Sequence, residues 1–411
     1  MIEGANARLI GSPGFDRDAL ARLQRARVAI IGLGVLGGQV SYHLGLLGVG
    51  QLLIDCGRVD PENLGNQGFP VGALGEPKCV ARARQIRALN PDCAVETRAC
   101  RVEDLGLAAL AAVDLVVTGL DSRASRARVN EMAWRWGLPW VDAAVDGTGR
   151  MLRGTVSVYD PRQTVSPCYL CPLNAADLAA IGHEGRGPGC PNPLRPDVPV
   201  TPPTLQASAF GALVAAVQAL WVTRMLLGRG ADLVGHQLVV EADATPRTRL
   251  LTLERNRRCL FDHQTLPPPK LAPGETVGDL LAAASADLGT VPEELLFHGR
   301  TLITGLACST CGSTRDVVRV AGTFGDEEVR CRCRPGAEMA PAGASESLRR
   351  ADAERLACAT WNDLGIPCAE VVTAQTKDAA AHYVVNQPGG DEAWQARHEA
   401  LAGGANERPG V

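Results

Sequence analysis

Gly32, Gly34 and Gly37 stand in G-x-G-x-x-G spacing directly after the apolar run RVAII, within RVAIIGLGVLGG. Glycines serve such a turn because phosphate can approach backbone N–H groups closely only where no Cβ intervenes, at the positive end of the helix that opens there. Asp55 ends the next apolar run, QLLID, where a carboxylate can hold ribose hydroxyls. Together these residues describe a nucleotide-binding turn and leave NAD and ATP equally open.

Cysteines supply the second chemistry, and the chain has 14 of them. Cys168 and Cys171 have C-x-x-C spacing in PCYLCP, and NRRCLFDHQ brings Cys259 and His263, which together make a Cys₃His tetrahedral zinc set drawn from distant segments. ACSTCGS and VRCRC add Cys308, Cys311, Cys331 and Cys333, close pairs a hairpin apart, as in a zinc ribbon. A competing assignment lets Cys168 and Cys171 share one metal with Cys308 and Cys311, which leaves Cys331 and Cys333 without a role. Cys190 sits in the Gly/Pro-rich stretch GRGPGCPNPLRPDVPVTPP. Cys56, Cys79, Cys93, Cys100, Cys358 and Cys368 read as packing residues, and His298 and His382 as ordinary polar side chains.

The elements that must position these groups are predicted by periodicity. Short apolar runs at Arg27 to Gly34, Gln51 to Asp55, Ala94 to Arg98, Asp114 to Asp121 and Pro139 to Val145 read as strands, with helical spacing between them. That alternation predicts an α/β fold, a Rossmann-like doubly wound and mostly parallel sheet. Residues 151–160 alternate like a further strand. A crossover loop over about 174–203 comes next, then a helix from Thr204 and the alternating segment HQLVVEADATPRTRLLTLER. Pro267, Pro268, Pro269 and Pro273 mark a linker. The expected organisation is therefore a domain over 1–266, a smaller zinc-ribbon-containing domain over 275–402, and a disordered tail over 403–411.

Bulk properties exclude several classes. With 411 residues, 46% apolar and 21% charged, the chain has the balance of a soluble globular protein. A net charge of −4 and a pI of 6.0 lack the basic excess that phosphate backbones attract, so neither nucleic acid nor membrane is expected as a partner. The stretch Ala207 to Leu227 is broken by Ser208, Gln218 and Arg224 and reads as a buried helix. The first residues carry no basic stretch followed by an apolar run, so we expect no signal peptide, a cytoplasmic location, and thiolates used as ligands rather than in disulfides.

From Asp55 onward, VDPENLGNQGFPVGALGEPKCVARARQIRALNP resembles the ThiF, MoeB and ubiquitin-activating-enzyme superfamily. The resemblance covers about residues 8–263, and the whole chain looks like a bacterial ThiF-family adenylyltransferase with a C-terminal zinc-binding extension. It implies ATP and Mg²⁺ as cofactors and a structural Zn²⁺. In that pattern Asp55 is the ribose aspartate, and Asn63, Asn66 and Gln67 occupy the Asn-Leu-x-Arg-Gln-like box. Lys78 is the lysine on the nucleotide phosphates and Asp121 the Mg²⁺ carboxylate. Arg126 and Asn130 fall on the Arg and Asn that come after it. Two positions depart from the family. Asn66 stands where the box usually carries an arginine, and Gly57 replaces an acid. Arg58, or Arg8 from a partner subunit, is the expected compensation.

The same resemblance implies a function: adenylation of the C-terminal carboxylate of a ubiquitin-like protein, thioester formation on Cys190, and transfer to a ubiquitin-conjugating enzyme. Without that transfer it implies the activation of a sulfur-carrier protein with a glycine-ending tail, or of a peptide. A homodimer is expected. Readings from other classes are an NAD-dependent dehydrogenase, which leaves Lys78 and Asp121 unassigned, and a catalytically dead binding scaffold, motivated by Asn66 and Gly57.

Overall fold

The computed structural model describes residues 6–149, 151–183, 207–242 and 245–387. The chain begins with α1 (Arg17–Arg25), β1 (Arg27–Ile31), α2 (Val35–Leu47), β2 (Gly50–Ile54), the short α3 (Pro61–Leu64), α4 (Lys78–Leu89) and β3 (Val95–Arg98). It continues through β4 (Leu115–Thr118), α5 (Arg123–Arg135), β5 (Trp140–Asp146), β6 (Leu152–Tyr159), α6 (Ala175–His183), α7 (Ser208–Leu226), β7 (His236–Ala242) and β8 (Pro246–Thr252).

These strands form one sheet in the order β3-β2-β1-β4-β5-β6-β7-β8. The pairs from β3 through β5 are parallel, and those from β5 through β8 are antiparallel. β1, β2 and β4 are buried nearly end to end, as strands covered on both faces must be, which explains their largely apolar sequence, with buried Gln51 paired to Ser41. Helices α2, α4 and α7 cover one face. Helix α5 covers the other. The chain leaves β1 toward β2 on one side and resumes at β4 on the other, so a crevice opens at the carboxyl ends of β1 and β4, where open α/β sheets hold ligands.

Two segments differ from expectation. The alternating stretch 236–255 is a hairpin, β7 against β8 with His236 opposite Thr252 and Ala242 opposite Pro246. Continuous alternation carried no sign of the reversal between them. The start of the expected crossover loop is helical, because Asn174 caps α6 by accepting the Asp177 N–H at 2.9 Å. Helix α7 is long and apolar enough to cross a membrane, yet Phe210, Val214, Ala215 and Val222 lie inside the core against α2 and the sheet.

The C-terminal unit is built from β9 (Lys270–Leu271), α8 (Val277–Leu288), β10 (Glu294–Phe297), β11 (Leu302–Cys308), β12 (Thr314–Arg315), β13 (Arg319–Val320) and α9 (Asp326–Val329). β14 (Met339–Ser345), β15 (Ser347–Arg349), α10 (Arg350–Arg355), β16 (Glu370–Gln375) and β17 (Ala380–Val385) complete it. One sheet runs β15-β10-β16-β17-β9, and β11 through β14 form a separate small sheet inserted into it. The unit does not hang free on its proline linker. Ala369, Val371, Val384 and Leu271 pack with Leu107, Met132 and Trp140 in the core behind α5.

A buried ion cluster fastens the two parts. Glu370 is fully buried, takes Arg300 Nε at 2.7 Å and Arg128 Nη2 at 3.4 Å, and accepts the Leu107 N–H at 3.0 Å. Burial pushes its carboxyl pKa upward, but the two guanidiniums outweigh that and hold it below the ordinary value. Arg300 also donates to the carbonyls of Glu103 and Leu105 across the junction. Glu370→Gln leaves both cations buried without an anion, so we expect a loss of about 3 kcal/mol in denaturant unfolding and a separate early transition of the C-terminal unit. A single unshifted transition would show that the cluster does not join them.

Candidate nucleotide site and metal centres

The glycine turn is built so tightly that side chains do not fit. Gly32 has φ +84°, and a Cβ on Gly37 would lie 1.9 Å from the Gly32 carbonyl oxygen. Gly119, at the end of β4, closes the same knot: its own Cβ would meet Gly37 N at 2.9 Å. Gly119, two residues before Asp121 in TGLD, is not among the expected site residues. Gly34 is the N-cap of α2, whose first turn contains no acid.

Asp55 braces the turn from β2. Its Oδ2 accepts the Leu33 N–H at 2.6 Å and its Oδ1 the Gly57 N–H at 2.7 Å, and a carboxylate has lone pairs left for ribose hydroxyls. Lys78 is the first residue of α4, and its N–H donates to Gly57 O at 2.9 Å. A Cβ on Gly57 would touch the Lys78 stem at 3.3 Å and Asp55 at 3.0 Å. Glycine at 57 therefore lets the lysine lie across the loop beside Asp55, which gives a physical reason for the missing acid. Among the described residues no carboxylate lies within ion-pair distance of Lys78.

The box residues divide. Asn63 is spent on its own turn, with Oδ1 accepting the Asp60 N–H at 2.9 Å. Gln67 Nε2 approaches to 3.9 Å from where a Gly34 Cβ would stand. Among the described residues, Asn66 Oδ1 and Gln67 Oε1 are buried without a hydrogen-bond partner. Asp121 is exposed, two residues past the Gly119 that packs against Gly37 at the end of β4. Arg126, one turn into α5, is buried and pairs with Asp142 at 3.1 Å, and Thr118 donates to the same carboxylate at 2.5 Å. Gln218 of α7 donates to the carbonyls of Thr118 and Val141, tying the ends of β4 and β5. Thr118, Asp142 and Gln218 carry no signal in the sequence, because their partners lie far along the chain.

Among the described residues of one chain, neither arginine supplies the expected compensation. Arg58 is turned onto the Gly75 carbonyl at 2.7 Å. Arg8 is exposed in the turn before α1 and touches none of the nucleotide-site residues described. Cys190 lies outside the described residues.

Both cysteine groups assemble as two separate sets. The ligand atoms of Cys168, Cys171, Cys259 and His263 lie within 4.8 Å of one another, as do those of Cys308, Cys311, Cys331 and Cys333. Sulfur separations of 3.6 and 3.7 Å in the first set match the ~3.7 Å edge of a tetrahedron with ~2.3 Å zinc–sulfur bonds. His263 Nε2 is 3.2 Å from Cys171 Sγ, and the residue is held at φ 58°, a conformation that is strained for a non-glycine. The second set shows 3.8 and 3.7 Å separations. Sharing of one metal between Cys168, Cys171, Cys308 and Cys311 is thereby ruled out. Helix α5 connects the first set to the crevice. Its Asn130 accepts the Tyr169 N–H at 2.9 Å, Trp134 packs on Phe261 and His263, and Arg135 pairs with Asp262 at 2.8 Å.

The remaining cysteines only partly match their reading as packing groups. Cys79 and Cys93 are buried, but Cys358 and Cys368 are exposed in surface turns and Cys56 is exposed in the loop after β2 beside Asp55. His298 and His382 share the Thr373 hydroxyl at 2.7 Å each and join neither metal set.

A nucleotide turn, a lysine at the head of α4, a strand-end aspartate and a Cys₃His set on one doubly wound sheet define the class. The ThiF family profile matches residues 6–272, and the chain belongs to the ThiF family. It is 32% identical over 256 residues to the sulfur carrier protein adenylyltransferase of Thermus thermophilus, covering 60% of this chain and 86% of that one. Identity is 29% over 249 residues to the molybdopterin-synthase adenylyltransferase of Escherichia coli, with coverage of 60% and 90%. It is 29% over 231 residues to the SAMP-activating enzyme E1 of Haloferax volcanii, with coverage of 54% and 74%. Among solved structures, E. coli MccB with MccA-N7isoASN superposes with a TM-score of 0.51 at 18% identity, over 64% of this chain and 75% of that one, a likeness of fold.

Proposed function

We propose that this ThiF-family enzyme adenylates the C-terminal carboxylate of a small ubiquitin-like carrier protein with a glycine-ending tail, using ATP and Mg²⁺. The observation that carries the reading is the convergence of Lys78, Asp55 and the Gly32–Gly37 turn at the carboxyl ends of β1 and β2, with Asp121 exposed just past the end of neighbouring β4. In this reading the turn and the α2 N-terminus receive phosphate, Asp55 holds the ribose, and Asp121 holds Mg²⁺, which would offset charge on the phosphates. A carboxylate oxygen of the carrier attacks the α-phosphorus. The α–β phosphoanhydride bond breaks and pyrophosphate leaves, with Lys78 neutralising the charge that develops. Positioning and charge suffice, and no protein nucleophile is required for this step.

Two fates of the adenylate are distinguishable. The names of the relatives favour handover of the activated carboxylate to sulfur chemistry, while Cys190 motivates a thioester and a conjugating enzyme. Zn²⁺ is assigned to both cysteine sets on their tetrahedral spacing. A homodimer is supported by Tyr42 and Leu46 of α2 and Leu213 and Leu220 of α7, apolar side chains left exposed on the covering helices. It would also offer Arg8 to a neighbouring crevice.

The test is ATP–pyrophosphate exchange with a candidate carrier encoded beside this gene. Exchange should require Mg²⁺ and vanish when the carrier's terminal glycine is removed. A carrier thioester absent from Cys190→Ala would favour conjugation, and full adenylation without any thioester would favour sulfur transfer. Absence of exchange together with a nicotinamide absorbance on the purified protein would return the dehydrogenase reading.

A further inference from the structure

Arg82, on the second turn of α4, is 5% exposed, and among the described residues no carboxylate lies within ion-pair distance of it. A buried cation with no carboxylate beside it is costly, and its place makes the cost greater. A Cβ on Gly38 would lie 2.5 Å from Arg82 Nη2, so the guanidinium fills the space against the backbone of the first turn of α2. That end of a helix is itself positive, and α2 has no acid there to offset it. Two sources of positive potential are thus stacked behind the glycine turn with no carboxylate beside them among the described residues.

The remaining contacts connect Arg82 to the box. Nη2 donates to the Gln67 carbonyl at 2.8 Å, the guanidinium lies 4.6 Å over the Phe69 ring, and Nε has no partner among the described residues. Gln67 in turn carries its amide toward Gly34, the N-cap of α2. Asn66, next in the loop, has no charge to offer. Burial lowers the pKa of Arg82 to about 10, so it remains charged at neutral pH.

We propose that Arg82 is a positioning residue for the polyphosphate: it seats the loop Asn63–Gly68 on the first turn of α2 and supplies, from behind, the fixed positive charge that this loop lacks at Asn66. This rests on the crevice being a nucleotide site. The anion it serves is a polyphosphate, because the charge sits beneath the turn that receives phosphate and not beside Asp55, where the ribose would lie. A neutral ligand gains nothing from it.

Binding of Mg²⁺·ATP, AMP and adenosine is measured by calorimetry on wild type, Arg82→Gln, Arg82→Met and Arg82→Lys. Arg82→Gln keeps a donor for the Gln67 carbonyl and loses the charge. It should weaken ATP by about tenfold, equal to about 1.4 kcal/mol, weaken AMP less, and leave adenosine unchanged. Its KM for ATP in pyrophosphate exchange should rise by the same factor, with kcat within about twofold. Arg82→Lys should return ATP affinity to within about threefold of wild type. If Arg82→Gln does not fold, Arg82→Met carries the same comparison. Equal losses for ATP and adenosine, or no loss for ATP, would overturn the proposal by making Arg82 a packing residue. A wild type that binds no Mg²⁺·ATP would remove the nucleotide reading itself, and the proposal with it.

Discussion

Lys78→Ala and Asp121→Ala each lower carrier-dependent pyrophosphate exchange by roughly 10²- to 10³-fold, the range measured when one fixed donor or charge is removed from a developing anion. Neither change is expected to unfold the protein. Lys78 stands at the start of α4 with its stem across Gly57 and, among the described residues, no carboxylate within ion-pair distance to leave unpaired, and Asp121 is exposed just past the end of a strand. The two variants should differ in kind. Loss of Lys78 removes charge felt mainly as pyrophosphate departs, so kcat falls more than KM rises. Asp121→Ala should need a higher Mg²⁺ concentration for half-maximal exchange, and Asp121→Asn should behave like it, because an amide holds the cation poorly. Exchange that survives both substitutions with unchanged Mg²⁺ dependence would place the chemistry elsewhere and sink the reading of the crevice.

The parts of this design that were legible in the sequence are those whose requirements are local. The glycine turn, Asp55 and the strand–helix alternation declare themselves because a tight turn, a strand-end carboxylate and a buried parallel strand each impose residue types on a few consecutive positions. Both cysteine sets were readable for the same reason, since two close pairs fix most of a tetrahedron. The hidden parts depend on partners far along the chain. Nothing near Glu370 announces Arg128 and Arg300, and Gly57 looks like a defect until the Lys78 stem is seen lying across it. Arg82 reads as one more arginine in KCVARARQIR, and only the missing Cβ of Gly38 and the lack of a nearby acid mark it out. The hairpin of β7 and β8 was hidden differently: alternation has the same period on both arms, so it cannot report a reversal.

Removing the metal should separate the two cysteine sets by consequence. The chain is expected to carry about one zinc per set, released by a strong chelator or a thiol reagent. The ribbon set has its own small core of Ile303, Leu306, Phe324, Val329 and Met339, within a sheet inserted into the C-terminal unit. Cys308→Ser should therefore loosen that insert alone, giving protease cuts between 308 and 340 and pyrophosphate exchange close to wild type. The first set is different because its polypeptide neighbours lead to the crevice. Cys168 and Cys171 pack with Trp134 and Phe261, and Asn130 and Arg135 fix the same two segments to α5, the helix whose first turn comes just after Asp121. The strained backbone of His263 persists only while something holds it, and a bound zinc, with apparent stabilisation of about 10 kcal/mol or more in small zinc modules, is strong enough to do so. Cys259→Ser should thus lose one zinc equivalent, lower the melting temperature of the ThiF portion by at least about 10 °C, and depress exchange through displacement of α5. If Cys259→Ser keeps both its zinc and its exchange activity while Cys308→Ser loses activity, the ranking of the two centres is reversed, and the inserted sheet rather than α5 is what supports the crevice.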